Sequence, residues 1–392
     1  MYTLILWWLA GIIPALAWLV RVAGAARGMP FIPEISGEDW NLSAPRNPRL
    51  SVIVPALNEE ENVEAALRSL VAQDYQNLEI IAINDRSTDS TGEVMERVAA
   101  ESAGRLRVLH IDHLPEGWLG KPHAMWRGAQ LASGDWLLFT DADVIFRKDA
   151  LRRALAYGEA SRADHLVVFP TLIMKSAGER MMVAFFQSMF LFMSRPWKIS
   201  DPNARDAVGV GAFNLLRRDA YEKVGSFAKL RMEVVEDLRL GELIKEHRLA
   251  QRVAFGKDLI SIRWLRGAFG AVRNLTKNFF AIMQYRWWLS LLAAAGLFFL
   301  VIAPYMGVIL APGWAKIPYS LTLLCILATY IGMSRHSEIS PLYFLLHPVA
   351  GALYIYAILR STFVTLRHGG VDWRGTQYSL EELRKGIAAG DS

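Results

Sequence analysis

In the stretch Trp136-Leu-Leu-Phe-Thr-Asp141-Ala-Asp143, an apolar run closes on two carboxylates one residue apart. Hard oxygen ligands suit Mg2+ and Mn2+, and Mg2+ is commonly held by one or two carboxylates while substrate phosphates complete its shell. A pair as sparse as Asp141 and Asp143 therefore implies a substrate that brings a diphosphate. Other chemistry-bearing residues recur in the same setting. Asn58 and Glu59 follow the run Leu50-Ser-Val-Ile-Val-Pro55, and Asp85 closes Leu78-Glu-Ile-Ile-Ala-Ile-Asn84. Lys121 lies in the glycine-rich stretch Gly117-Trp-Leu-Gly-Lys121, where an ammonium can meet a diphosphate as a point charge. The acidic pair Glu236-Asp237 opens a helical pattern, which by itself is also the ordinary decoration of a helix start.

The elements that must position these groups are short β-branched and aliphatic runs alternating with helical patterns. Runs over 50–55, 78–85, 106–111 and 136–140 lack polar alternation, the mark of strands buried on both faces in a parallel sheet. Between the first two, Val63, Ala66, Leu67, Leu70 and Val71 recur at helical spacing behind an acidic start. The Ser87-Thr-Asp-Ser-Thr91 cluster is able to cap the next helix. This alternation predicts βαβ units and a doubly wound, mostly parallel sheet, with ligands bound beyond the carboxyl ends of the strands. Any one polar strand end reads as ordinary loop polarity, whereas three along one edge make a site.

The chain has 392 residues, 53% of them hydrophobic, and a positive mean hydropathy. Four stretches lack acidic and basic residues for about the 17–25 residues that span a bilayer: Met1 to Val20, Leu289 to Ala315, Ile317 to Ser334 and Ile339 to Leu359. The expected organisation is a membrane anchor over 1–22, a proline-rich linker over 23–48, a catalytic domain with interfacial helices over 49–288, about three membrane helices over 289–360 and a tail over 361–392. The apolar run Met181 to Ser194 is too short to span and fits an interfacial, re-entrant or core helix. One span before the domain and three after it place the tail opposite the domain, whereas Arg360 and Arg367 argue for the cytoplasmic side. The two cues disagree.

Several classes are excluded. The lone Cys325 supports neither a disulfide framework nor a cysteine zinc site. No phosphate-loop signature occurs, Gly209-Val-Gly211 is only a fragment of a dinucleotide fingerprint, and His110, Asp112 and His113 read as loop residues. The net charge of +5 is gathered beside apolar segments, as at Arg21, Arg27, Arg360 and Arg367, which suits anionic lipid and not nucleic acid.

Taken together, Val52-Ile-Val-Pro55-Ala-Leu-Asn58-Glu59, Asn84-Asp85, Asp141-Ala-Asp143 and Glu236-Asp237 resemble the ordered motifs of the inverting family 2 glycosyltransferases. The resemblance runs from about Ser51 to Lys277. Gly117 to Lys121, the spans and Trp373-Arg-Gly-Thr-Gln-Tyr378 are similar to the hopanoid-associated, carotenoid and ceramide branches. It implies a GT-A fold, a divalent cation (Mg or Mn) on Asp141 and Asp143, and Asp237 as catalytic base beside Glu236. It further implies a nucleotide diphosphate sugar, by analogy a UDP-sugar, bound by Pro55, Asn58, Glu59, Asp85, Lys121, Asp141, Arg263 and Trp264, and a lipid acceptor at the cytoplasmic membrane. The family's Gln-x-x-Arg-Trp motif is reduced to Arg263-Trp264 without its glutamine, which favours single addition. The alternatives are a processive polysaccharide synthase and a non-catalytic nucleotide-binding module.

Overall fold

The computed structural model describes residues 2–335, 337–373 and 376–390, so that Met1, His336, Arg374, Gly375, Asp391 and Ser392 lie outside the described residues. The strands are β1 (Leu50–Ala56), β2 (Leu78–Asp85), β3 (Leu106–Ile111), β4 (Trp136–Phe139), β5 (Ile145–Phe146), β6 (His165–Phe169), β7 (Thr171–Leu172), β8 (Asn214–Arg217), β9 (Gln251–Phe255), β10 (Ile260–Ile262), β11 (Gly370–Trp373) and β12 (Thr376–Ser379). Seven build the main sheet in the order β3-β2-β1-β4-β8-β6-β9. The first four are mutually parallel, which sends the ends bearing Asn58, Asp85 and Asp141 to one edge, while β8 enters antiparallel between β4 and β6.

Side chains alternate across this sheet with the period of two that a pleat imposes. Val52, Val54, Ile80 and Leu138 face one apolar layer with the helices Val63–Val71, Thr91–Glu101 and Ala150–Ala160. Ile53, Ile81, Leu137 and Phe139 face the other with Gly120–Leu131 and Glu236–Glu246. Both faces being covered is why these strands read as unbroken apolar runs. The segment expected to be a linker is docked: Ile35 is fully buried, and Ile35 N–H and Pro33 carbonyl pair with Phe255 at the β9 edge (2.9 and 2.8 Å). The first helix runs on to Gly28, and the apolar run near 181–194 is a helix over Ala177–Met193 packed into a cluster with Ile326 and Ala350 of the membrane helices.

Among the described residues, four helices are long and apolar enough to cross a membrane: Tyr2–Phe31, Trp287–Leu310, Gly313–Met333 and Pro341–His368. The Trp18 indole N–H donates to the Leu300 carbonyl (3.0 Å), within a π-helical turn over Phe298–Ile302 that precedes Pro304. Contacts of this kind set the sense of each helix. The Tyr319 hydroxyl donates to the Trp7 carbonyl (2.8 Å), and its ring lies against Gly307. The Tyr330 hydroxyl meets His347 Nδ1 (3.0 Å), whose ring is 6.0 Å from Trp18, while Thr362 donates to Ser290 (2.7 Å). The first, third and fourth helices therefore run one way and the second runs the other. Residues 334–346 turn back within the bundle, where the Phe344 carbonyl accepts from Tyr305 (2.7 Å). The fourth helix ends on the side from which the second departs, and the following residues pack on the soluble domain.

In a Cys325→Ser background, single cysteines at Asp39 and Lys385 are expected to react with an impermeant maleimide from the same side of sealed vesicles, and one at Trp314 from the other. Labelling of Lys385→Cys and Asp39→Cys from opposite sides would overturn this arrangement.

Candidate active site

The open edge of the parallel strands gathers the charged residues. β4 ends at Phe139, and the Asp141 N–H donates to the Gly211 carbonyl (3.1 Å), which seats the Asp-x-Asp turn against the segment leading into β8. The helix Gly120–Leu131 begins beside this turn and carries Lys121 in its first turn. Its ammonium is 2.7 Å from an oxygen of Asp141 and 2.7 Å from an oxygen of Glu236, with Lys121 13% and Glu236 6% exposed. One ammonium thus joins the β4 turn to the start of the helix Glu236–Glu246. In so confined a place the pair is strong and removal of one partner is costly.

Asp237 turns from Glu236 toward the β8 approach. Its Oδ2 accepts from Gly211 N–H (2.9 Å) and its Oδ1 from Leu238 N–H (2.8 Å). Burial, and then the Glu236 carboxylate, raise its pKa above the ordinary aspartate value, against the pull of Lys121. The two glycines of Gly209-Val-Gly211 make this possible. A Cβ on Gly209 would overlap the Asp237 carbonyl, and one on Gly211 would lie 2.6 Å from Asp141 Oδ2. The stretch that resembles a dinucleotide fingerprint is therefore the backbone cradle of the acidic groups. Asp141, Gly211, Glu236 and Asp237 line one cleft with Lys121 and Thr140.

Asp141 and Asp143 fit a sparse cation site. Burial, then the Asp141 and Glu59 carboxylates, push Asp143 up to about 6 from 3.8, which is repulsion that a bound cation relieves. Among the described residues there is no group of three or more His, Cys, Asp or Glu poised around a metal, so the remaining ligands fall to a substrate or water.

The other expected residues divide. Pro55 lies within β1, opposite Ile83. Asn58 and Glu59 lace two loops together: Asn58 Oδ1 accepts from Thr88 N–H (2.8 Å), and Glu59 N–H donates to Thr91 Oγ1 (2.8 Å). The hydroxyl cluster after β2 thus ties the β1 and β2 loops, and no side chain of Ser90 caps the helix that follows. Asp85 is 1% exposed and takes both Arg86 nitrogens (2.8 and 3.0 Å), with Arg86 in the left-handed region at φ 59. Arg263 and Trp264 point elsewhere. Arg263 Nη2 meets Glu179 Oε1 (2.8 Å), and the Trp264 ring lies 4.5 Å from Phe186. Neither lines the cleft with Lys121.

Because Asp143 holds its proton more tightly folded than unfolded, stability falls as pH rises from 3.8 to about 6, and the deficit persists at neutral pH. Asp143→Asn is therefore expected to raise the melting temperature of chelated protein at neutral pH, with the gain disappearing in acid, while Mn2+ stabilises only the parent. A variant that melts lower at neutral pH counts against this account.

Comparison with known proteins agrees with this geometry. Residues 51–225 match the family model for glycosyl transferase family 2. The 4,4'-diaponeurosporenoate glycosyltransferase of Staphylococcus aureus is 26% identical over 340 residues, covering 85% of this chain and 89% of that relative. A mannosyltransferase of Pyrobaculum calidifontis, solved in complex with GDP-Man and Mn2+, shares the fold over 91% of this chain and 98% of its own, with a TM-score of 0.54 and 16% identity. Residues 51–225 thus carry a domain that matches glycosyl transferase family 2, on a GT-A fold joined to helices long and apolar enough to cross a membrane.

Proposed function

We propose that the chain transfers a sugar from a nucleotide diphosphate sugar, by analogy a UDP-sugar, to a membrane lipid with inversion at the anomeric carbon. The observation that carries this reading is Asp237, a carboxylate with raised pKa held by two backbone N–H groups in a cleft that also contains Lys121 and Asp141. A base whose pKa is drawn toward the working pH suits removal of an acceptor hydroxyl proton as that oxygen attacks. With one base and no carboxylate assigned as nucleophile, displacement is direct.

Asp141 and Asp143 would hold a divalent cation, Mg2+ or Mn2+. When bound, it neutralises charge that develops on the leaving diphosphate. Lys121 contributes a fixed positive charge in the same cleft. Asn58, Glu59 and Asp85 lie at the neighbouring strand ends, in reach of the nucleoside by their position along the edge, and Pro55 sits in β1 just before them. Arg263 and Trp264 support the reading only indirectly, through the Glu179-bearing helix against the membrane bundle.

The position of the domain supports a lipid acceptor. Its cleft belongs to a domain seated on apolar helices that expose Trp287, Trp288, Leu291 and Leu292. The Staphylococcus aureus relative is named for diaponeurosporenoate, which supports an acceptor of that class. Arg21, Arg27, Arg360 and Arg367 on the domain side favour the cytoplasmic membrane with the domain inside.

Asp237→Asn is expected to lower turnover by about 10² or more while donor affinity is retained, and to remove the acid limb of the pH–rate profile. In the parent that limb should lie above the ordinary aspartate range, with activity rising as Asp237 loses its proton. Glu236→Gln should act more mildly and through donor KM, since Glu236 meets Lys121. Radiolabelled sugar transfer measures each, and near-normal turnover in Asp237→Asn would place the base elsewhere.

Chelation should abolish transfer and Mg2+ or Mn2+ restore it, with label appearing in lipid extracts and not on water-soluble sugars. Full turnover under chelation, or transfer confined to soluble acceptors, would overturn the corresponding part of the proposal.

A further inference from the structure

Asp85 ends β2, yet it is closed to a ligand. Its side chain is 1% exposed, and both oxygens accept from Arg86, Oδ1 from Nε (2.8 Å) and Oδ2 from Nη2 (3.0 Å). Gly120 lies so close that a Cβ there would fall 2.6 Å from Oδ2. Consecutive side chains of a strand point to opposite faces, so a bidentate pair between neighbours needs a break in the strand. Arg86 supplies it at φ 59, a left-handed backbone uncommon for a residue with a side chain. Backbone bonds hold this turn from both sides. Arg86 N–H donates to the Ile111 carbonyl (3.0 Å), Ser87 N–H to Asn84 Oδ1 (3.3 Å) and Asn58 N–H to Ser87 Oγ (3.1 Å).

What β2 presents beyond its end is therefore the Arg86 guanidinium, 20% exposed. Its Nε and Nη2 edge is taken by Asp85, and Nη1 lies 3.4 Å from Thr376 Oγ1 of β12. Each Nη carries a second N–H, so the outer end of the fork keeps donors to offer. A Cβ on Gly120 would lie 2.5 Å from Nη2, which puts the fork at the start of the helix that carries Lys121.

Strand order says which part of a donor reaches this fork. β1 separates β2 from β4, and with neighbouring strands about 4.8 Å apart the end of β2 lies roughly 10 Å along the edge from the Asp141 and Asp143 turn. A diphosphate held at that turn and by Lys121 occupies the β4 end, and the base, at the far end of the nucleoside, extends toward β2. A rigid fork of N–H donors suits carbonyl oxygens. Uracil and guanine carry a carbonyl where cytosine and adenine carry an amino group, and that amino group sets donor against donor.

We infer that Arg86 reads the base of the donor and restricts it to keto bases, while Asp85 is the positioning residue that aims the guanidinium. This rests on the reading of the sheet edge as a nucleotide diphosphate site and narrows the donor class within it.

The test uses the full chain in lipid nanodiscs with Mn2+ and equilibrium binding of labelled UDP, CDP, GDP and ADP. The parent should bind UDP more tightly than CDP, or GDP more tightly than ADP, by about five- to a hundredfold, the scale of one base-edge contact. Arg86→Met removes the fork, and the preference should collapse toward parity through weaker binding of the keto nucleotide alone. That variant leaves Asp85 buried without its partner and is open to misfolding. Arg86→Lys keeps a positive charge beside Asp85 but not the planar fork, and it should lose the preference with CDP and ADP binding and melting temperature unchanged. A preference that survives both variants, or that grows when Arg86 is removed, overturns the role of Arg86. Equal loss of all four nucleotides with a fall in melting temperature also overturns it, as general loosening. A parent chain that binds all four equally overturns this inference alone, and one that binds none overturns the donor-site reading as well.

Discussion

The Lys121 ammonium between Asp141 and Glu236 is the interaction on which the site depends. It gathers three pieces of chain that are remote in sequence: the turn after β4, the first turn of the helix Gly120–Leu131 and the start of the helix Glu236–Glu246. Carboxylates gathered on this edge are costly, and the raised pKa of Asp143, due first to burial and then to the Asp141 and Glu59 charges, registers that cost. The sheet bears that cost through burial, with Val52, Ile53, Ile80, Ile81, Leu137 and Leu138 all at 1% exposure or less. Each such side chain contributes roughly 1.5–3 kcal/mol on leaving water, so the rigid apolar layers stabilise a strained acidic edge.

The same logic governs the membrane helices, where polar groups act as specific fasteners because lipid offers no alternative partner. Trp18 takes the Leu300 carbonyl of the second helix, Tyr305 takes the Phe344 carbonyl in the returning segment, and Thr362 meets Ser290. Glu179 plays the corresponding part where helix and domain meet. It accepts from the backbone of Lys175 and Gly267 and from Arg263, which together hold its carboxyl at about 2 despite burial. The domain and the bundle are therefore joined by ionic and backbone bonds as well as by apolar packing.

Much of this was legible in the sequence, for physical reasons that differ by element. β1, β2 and β4 stand out because strands covered on both faces leave largely apolar runs, whereas β3 at the sheet edge leaves Arg107 and His110 exposed, and the polar ends of β2 and β4 announce the edge that carries Asp85 and Asp141. β8 carries no such signature, since a four-residue antiparallel strand has no period of its own and depends on pairing with Leu137 and Leu166. Gly209 and Gly211 carried a signal, two glycines one residue apart, but their purpose is close approach to Asp237 and Asp141 across a distance that no local pattern encodes. The direction of the last helix was equally hidden. Hydropathy records that residues near 339–359 are apolar, while only the contacts of Phe344 and His347 show that the chain enters that helix from a return. Arg263 was expected among the donor contacts by resemblance, and its actual partner Glu179 lies on an element whose position depends on the bundle.

The bond between Trp18 and Leu300 joins residues 282 positions apart. On a ribosome adding roughly 5–20 residues per second, the first helix is made tens of seconds before its partner exists. During that interval its indole N–H has no carbonyl from the second helix, and the first helix must be held in the bilayer by its own apolar face alone. The order of synthesis thus separates two events that the finished bundle shows as one: the first helix is made early, and the fastening that aligns it with the rest of the bundle waits for the Leu300 carbonyl to be made.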